Sequence, residues 1–462
     1  MYKIEINGKI QYACNGALLA DILNESGEGV EHPCGGKGTC GKCLVTVNGK
    51  QELSCRYRIH SDISLILPER GGIVSDSGAE QTGRITENLC FALDIGTTTL
   101  ALALVSLDEN KIIRVKTAVN PQRIFGADIM SRIDYCRKNG VYDLNKRLIE
   151  AVNSMIDSFN LKKTVKLYVA GNATMLHLFF GVDCSSMGVA PYTPVFLEKR
   201  EAAGEEIGLI GVSEVESLPC VSSFVGADIV AGLNFTGMPE SGKYSLLVDL
   251  GTNAETVLYG NGRVLCTAAA AGPCFEGANI SCGMSASDGA VYSYKKNKAE
   301  TVGNLPAKGI CGTGLVDVIA HLIESGEIDE AGYMESEEFE IAEGVSVNQE
   351  DVRQYQLAKS AVYSAIMTLI ETAQIYPDSI ERLYISGGFS AVIDVENAVK
   401  TGLLPEALKE KCVAVKNSSL LGAVKYACEK NDLSCFTKNA QYLDLSTNPV
   451  FSQLFIENMM FR

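Results

Sequence analysis

Alternating apolar and polar positions open the chain. In YKIEING and KIQYACN the apolar side chains fall near every second residue, the period of a strand, and the two segments pair as a first hairpin. GALLADILNES then carries apolar residues at helical spacing, and CLVTVNGKQEL reads as a second hairpin turning at Asn48-Gly49. From Glu69 to Asn88 the pattern stops: ERGGIVSDSGAEQTGRITEN is rich in Gly, Ser, Thr and acidic residues and reads as a flexible tether. Beyond it the strands become continuous apolar runs. LCFALDIGTTTLALALVSLDENKIIRV is a strand, a tight turn and a second strand ending in a hairpin, and YSLLVDLGTNAETVLYGNGRVL repeats that layout about 155 residues later. ERLYISGGFSAV is a strand running into a Gly-Gly turn, while VAGNATMLHLF and KGICGTGLVDVIAHLI open helices at glycine-containing turns. The pattern divides the chain into a small sheet domain (1–68), a linker (69–87) and two halves of a duplicated α/β body (88–240 and 241–462).

Composition narrows the class. With 46% hydrophobic and 21% charged residues each unit can bury a core, which excludes a disordered chain. No run of 18 apolar residues appears, so no membrane span is expected, and the N-terminus lacks the basic-then-apolar layout of a signal peptide. A formal charge of −16 argues against broad binding to nucleic-acid phosphates. The expected location is the cytoplasm, where the 16 cysteines read as thiols and metal ligands instead of disulfides.

Four cysteines are bunched at the front. Cys34, Cys40, Cys43 and Cys55 stand at C-x5-C-x2-C-x11-C, three on one Gly-rich loop and the fourth just after a strand. That is the ligand pattern of ferredoxin-type [2Fe–2S] centres, and the flanking elements fit a small β-grasp sheet. Gly35, Gly36, Gly38 and Gly41 let the backbone curl and turn N–H groups toward sulfur. Zinc is the competing metal, although its sites usually offer two separated C-x2-C knuckles and only one pair here has that spacing. His32 and His60 read as surface or capping residues, and Cys14 as buried packing.

The two D-x-G-T turns carry a second chemistry. The first holds Asp94, Gly96, Thr97, Thr98 and Thr99; the second holds Asp249, Gly251, Thr252, Asn253 and Glu255. Glycine admits backbone N–H groups close to phosphate oxygens, the threonines add hydroxyl donors, and an aspartate can hold Mg²⁺ through its water shell. Gly387 and Gly388 allow a nucleoside to lie against the backbone. No G-x-x-x-x-G-K-[ST] occurs, so a P-loop is absent. Glu255 could orient an attacking water or form a structural salt bridge; Asn172 lines the phosphate cleft or caps the helix holding Thr174 and Met175. His177 reads as a satisfied core histidine, and Cys274–Asn279 as a mobile loop near the cleft or as packing.

In this order the elements resemble the ASKHA superfamily of acetate and sugar kinases, the heat-shock ATPase and actin. The resemblance implies a duplicated RNase H-like, actin-like ATPase body. Asp94–Thr99 and Asp249–Glu255 are then its two phosphate motifs, and Gly387-Gly388 its adenosine motif. Gly171-Asn172 and Gly312–Gly314 become its connecting motifs.

The whole chain resembles the reductive activators of corrinoid-dependent methyltransferases and related corrinoid proteins. The resemblance rests on CGGKGTCGKC, LDIGTTTLALALV, NPQRIFGADIMSRI, AGNATMLHLFFG and FVGADIVAGL, and further on LLVDLGTNAE, AGPCFEGANISCGM, GICGTGLVDVI, SGGFS and YLDLSTNPVFSQLF. It implies ATP-dependent reduction of a cobalt(II) corrinoid protein to cobalt(I), with [2Fe–2S], ATP and Mg²⁺ as cofactors. An upstream low-potential donor supplies the electrons. Such help is needed because plant-type clusters sit near roughly −400 mV, above the cobalt couple, and each ~59 mV of deficit costs about tenfold for one electron. The chain differs from larger members in having a brief tether where they carry a longer linker and an extra middle domain; a homodimer is the assembly the resemblance implies. Two alternatives stand beside this reading. One is an activator ATPase of 2-hydroxyacyl-CoA dehydratases, with a shared [4Fe–4S] cluster and Cys311 as a ligand; the other is a redox-sensing nucleotide-binding module. A sugar or acetate kinase is the plain fallback.

Overall fold

Five strands and a helix form the first unit of the computed structural model, which describes residues 1–6, 9–26, 30, 38, 43–67, 81–388 and 392–461. The strands are β1 (Tyr2–Ile6), β2 (Lys9–Ala13), β3 (Leu44–Val47), β4 (Lys50–Leu53) and β5 (Ile63–Ile66), with α1 (Leu19–Glu25) after β2. Their order is β2-β1-β5-β3-β4, with β1 and β5 parallel at the centre. Ile4, Ile6, Leu19, Leu23, Val45, Val47, Ile59 and Leu65 fill a small separate core. The β3–β4 turn has Asn48 at φ 48° and Gly49 at φ 81°, the left-handed pair that a two-residue hairpin of this twist needs.

The body follows in two matching halves. Lobe I contains β6 (Leu89–Ile95), β7 (Thr99–Ser106), β8 (Lys111–Val119), α2 (Ile129–Asn139), α3 (Tyr142–Asp157), β9 (Val165–Gly171), α4 (Ala173–Phe179), β10 (Glu201–Ala203), β11 (Val212–Ser217) and α5 (Ala227–Thr236). Lobe II opens with β12 (Tyr244–Leu250), β13 (Ala254–Gly260) and β14 (Arg263–Ala269). An insertion adds β15 (Ala290–Lys295), β16 (Lys298–Thr301), β17 (Gly309–Ile310), α6 (Gly312–Ser325), β18 (Glu338–Ala342) and β19 (Val345–Asn348). Then come α7 (Gln349–Ala373), β20 (Ile380–Ser386), α8 (Val395–Lys400), β21 (Cys412–Ala414), α9 (Ser418–Glu429), α10 (Ser434–Thr437), β22 (Ala440–Tyr442) and α11 (Pro449–Glu457).

Sheet order shows the duplication. Lobe I reads β10-β11-β9-β6-β7-β8 and lobe II reads β21-β20-β12-β13-β14-β22. In each, three antiparallel strands are extended by two parallel ones beside the first. Strands β6 and β12 are buried almost end to end, as strands covered on both faces must be. Residues 81–88 already lie along lobe I, since Gly83 N–H donates to Ile112 O at 2.9 Å and Asn88 Nδ2 to Asp108 at 2.7 Å.

Helices α5 and α9 pack against each other between the lobes. In α5 Ala227, Ile229, Val230, Ala231, Gly232, Leu233 and Asn234 are all buried, because an apolar helix of this kind is covered on every side. A Cβ on Gly232 would fall 2.9 Å from Ser418 Oγ, and one on Gly422 would fall 1.8 Å from Ala231 O. Asn234 Nδ2 donates to Gly422 O at 3.0 Å across the crossing. The sequence reading placed the connecting turns at Gly171-Asn172 and Gly312–Gly314; the helices that join the lobes are α5 and α9. Gly171 instead packs on Ile95, and Gly312 and Gly314 bring α6 against the carbonyls of Phe275 and Val291.

Candidate functional site

In the first unit, Cys43 precedes β3 and Cys55 follows β4, so the hairpin brings them together. Both are buried and their Sγ atoms lie 3.2 Å apart. That is well beyond a disulfide's ~2.05 Å, and near the roughly 3.8 Å that two thiolates span on one tetrahedral metal at ~2.3 Å. Gly38 has φ +68°, and a Cβ there would fall 2.2 Å from Arg56 Nε, so the loop turns where only glycine fits. Cys34, Cys40, Gly35, Gly36, Gly41 and His32 lie outside the described residues. His60 is a surface residue bonded to Asn15. Cys14 is exposed, against the expectation of buried packing: it follows the last residue of β2, whose inward-facing neighbour is Ala13.

The second site lies where β6 and β12 end. Asp94 and Asp249 occupy corresponding places in the two lobes, each followed by a glycine turn. Gly96 N–H donates to Thr99 O at 3.0 Å and Gly251 N–H to Asn253 O at 2.9 Å. A Cβ on Gly96 would meet Thr99 O at 2.7 Å. Lobe I braces its turn from behind. Asn120 Nδ2 donates to Gly96 O at 2.8 Å, the Asn120 N–H to Thr98 O at 2.9 Å, and Arg132 Nη2 to Thr97 O at 2.6 Å. Arg132 is fully buried, and burial lowers its pKa to about 9. Asn172 caps α4, its Oδ1 accepting from Met175 N–H at 2.9 Å, and its Nδ2 reaches Thr97 Oγ1 at 3.3 Å.

Around these turns five carboxylates converge. Burial raises Asp94 to about 6, with the charge of Asp249 adding to it and hydrogen bonds from Ser419 and Asn417 opposing it. Asp249 is likewise raised to about 6 by burial, against a hydrogen bond from Ser386, with Glu276 repelling it. Asp228, on the first turn of α5, is pushed to about 7 by burial and then by Asp249 and Asp94. Glu255 faces Asp249 in register on β13 and is raised by burial and by Asp228, Asp249 and Glu276. Its neighbours are carboxylates, so the salt-bridge alternative finds no support. Glu276 accepts a 2.5 Å hydrogen bond from Thr252 Oγ1 and is raised by burial, with the charge of Arg123 from lobe I opposing.

Such a set of oxygen donors, repelling one another, suits a hard divalent cation and its water shell. A second acidic group makes the contrast. Glu201, Glu214 and Glu216 also approach one another, but Lys166 lies 2.7 Å and Lys199 3.5 Å from Glu216. Burial works against ionisation there too, yet Lys166, Tyr426 and Lys430 hold Glu216 down at about 2. That network is already neutralised and needs no ion.

Other expected residues fall as follows. Gly387 has φ +113°, and a Cβ there would strike Leu250 O at 2.2 Å, while Gly388 faces open space. Cys274 and Phe275 are anchored in the core, so the Cys274–Asn279 segment is a pinned turn that delivers Glu276. His177 is buried with Nδ1 bonded to Ala173 O at 2.7 Å, Nε2 accepting from Val195 N–H at 3.0 Å, and its ring stacked on Phe196. Asp228 and Ser419 were missed. An acidic residue opening an otherwise apolar helix was the available signal for Asp228; nothing local marks Ser419, which meets Asp94 over a separation of 325 residues.

Comparison with known proteins decides the family. Residues 4–62 match the 2Fe-2S iron-sulfur cluster binding domain, 89–241 the RACo middle region, and 243–462 the C-terminal domain of RACo, the ASKHA domain. The chain belongs to the reductive activators of the RACo type. A solved reductive activator for corrinoid, iron-sulfur protein is 26% identical, with 100% of this chain and 98% of that one aligned and a TM-score of 0.72. The corrinoid activation enzyme RamQ of Eubacterium limosum is 28% identical over 80% of this chain and 70% of its own length. The [Co(II) methylated amine-specific corrinoid protein] reductase of Methanosarcina barkeri is 28% identical over 79% and 76%. One expectation is corrected. The extra middle domain expected to be absent has a counterpart here, since the RACo middle region matches 89–241, the stretch that forms lobe I of the body.

Proposed function

We propose that this RACo-type activator reduces the cobalt(II) form of a corrinoid protein to cobalt(I), with MgATP bound between the lobes. The observation that carries the reading is that one chain joins a thiol pair fit for iron to a cleft of mutually repelling carboxylates beside two phosphate turns. Cys43 and Cys55, completed by Cys34 and Cys40, hold the [2Fe–2S] cluster, which when bound supplies a one-electron carrier. Thr97, Thr98 and Thr99 on one side and Thr252 and Asn253 on the other donate to phosphate oxygens, while Gly96 and Gly251 close the two turns through their own N–H groups. Asp94 and Asp249 would hold Mg²⁺, with Asp228 and Glu276 adding negative charge. Glu255, its pKa raised by burial and by its carboxylate neighbours, orients the attacking water. Gly387 and Gly388 floor the adenosine.

The residues then act as a switch. The carboxylates drawn from both lobes repel one another, so a divalent cation held among them would favour a closed cleft, and loss of the terminal phosphate that shares the cation would weaken that closure. Closure changes the surface offered to the corrinoid protein, so an unfavourable electron transfer is coupled to the nucleotide state. A low-potential donor upstream refills the carrier.

The dehydratase-activator alternative needs Cys311 at a surface where two subunits share a cluster. Cys311 is buried at the start of α6 with its Sγ on Val291 O at 3.3 Å, so the geometry disfavours it. The test is spectroscopic. Anaerobically purified protein should convert a cobalt(II) corrinoid protein to cobalt(I) only with reductant and ATP together. Reduction at full rate without ATP overturns the coupling, and tight ATP binding without turnover favours the sensor.

A further inference from the structure

Two hydrogen-bonded arms meet on the first turn of α9. Ser419 Oγ donates to Asp94 Oδ1 at 2.7 Å. Its neighbour Ser418 lies 2.7 Å from Ser386, oxygen to oxygen, and Ser386 bonds to Asp249. Each hydroxyl has one proton, and an ionised carboxylate only accepts. Ser386 therefore donates to Asp249, and Ser418 donates to Ser386. Both arms are buried, where an unpaired hydroxyl would be costly. Asn417 precedes them in left-handed backbone (φ 42°, ψ 63°), caps the helix through Leu420 N–H at 2.9 Å and bonds Asp94 as well.

The placement matters because Asp94 belongs to lobe I and Asp249 to lobe II, while the turn that grips both belongs to the helix crossing between them. Ser418 is also, with Leu247 of β12, a side chain against which Gly232 of α5 is packed. A shift in the spacing of the two aspartates therefore presses directly on the α5–α9 crossing.

We propose that Ser418 and Ser419 are positioning residues that hold Asp94 and Asp249 at a fixed spacing and carry changes in that spacing into the α5–α9 crossing. The inference rests on the reading that metal and nucleotide bind in this cleft. Both serines act through the aspartates, Ser419 directly and Ser418 by way of Ser386.

The experiment uses the full-length chain, with Mn²⁺ binding in the presence of ADP followed by electron paramagnetic resonance, and kcat and KM for phosphate release from MgATP. Ser419→Ala should weaken Mn²⁺ binding and lower kcat by about tenfold or more, the size of a lost hydrogen bond to a charged group, and Ser418→Ala, which removes a hydroxyl–hydroxyl bond one step from Asp249, by about fivefold. Ser419→Thr, which keeps the hydroxyl, should restore both. Because the arms share one turn, the double alanine variant should lose much less than the product of the single losses. Thermal unfolding of each variant, unchanged within a few degrees, separates positioning from collapse. Wild-type Mn²⁺ affinity and kcat in both alanine variants, or losses that simply multiply, would overturn the inference while leaving the nucleotide reading intact. A wild-type chain that binds no Mn²⁺ with ADP and releases no phosphate would overturn that reading, and this inference with it.

Discussion

Gly422 of α9 lies so close to Ala231 of α5 that a methyl group on it would fall 1.8 Å from the Ala231 carbonyl oxygen. Backbone, not a flexible side chain, blocks the space. Gly422→Ala must push the two helices apart, and the expected loss is about 3 kcal/mol, at the upper end for overpacking. Denaturant unfolding of the variant against wild type measures it; a loss below ~0.5 kcal/mol would mean that the crossing yields easily.

Iron content tests the front of the chain. Wild-type protein reconstituted anaerobically should hold two irons, and Cys55→Ser should hold little or none, because the variant removes one of the paired thiols. Cys311→Ser should keep both irons. Iron that followed Cys311 would restore the rival assembly.

Proton counting tests the carboxylate cleft. Asp94, Asp249 and Asp228 are raised to about 6, 6 and 7, so the folded, metal-free protein holds more protons than the unfolded chain between the ordinary aspartate value near 3.8 and about pH 7. Stability contributed by these groups therefore falls as pH rises through that window. Binding of Mg²⁺ and ADP at pH 6.5 should release protons, with the release fading by pH 8.5. Calorimetry in buffers of different ionisation enthalpy reads it directly. Release that did not change with pH would contradict the assignment.

Asp228→Asn separates stability from function. Removing one charge from a repelling group should stabilise the metal-free protein at pH 8 by about 1–2 kcal/mol, after allowance for screening in an open cleft. Phosphate release should drop by tenfold or more. A variant that is both less stable and fully active would place Asp228 outside the site.

Much of this was legible in the sequence, and the reasons differ by element. Asn48-Gly49 announced its hairpin because few dipeptides accept left-handed backbone at both positions. The two D-x-G-T turns stood out because they are local and repeated. Glu255 stands out by its place beside the second turn and Glu276 by its segment near the cleft, whereas Asp228 shows only as an acid opening an apolar helix, and its approach to the other carboxylates appears only on folding. The connecting helices were misplaced for a related reason. Gly171 and Gly312 open helices, which is a visible signal, but Gly232 and Gly422 sit inside helices, where glycine looks like a defect until another backbone is seen against it. The serine arms depend wholly on long-range placement.

Lobe I buries Leu420, Ala423, Val424, Tyr426 and Ala427, all from α9. Its hydrophobic interior is therefore unfinished when the ribosome has made only the lobe I strands. Nearly two hundred further residues must emerge before the stretch that seals it is available. A nascent chain in that interval exposes one flank of α5 and depends on slow, long-range docking to complete itself. Premature termination anywhere before residue 418 should damage the part already synthesised as much as the part that is missing.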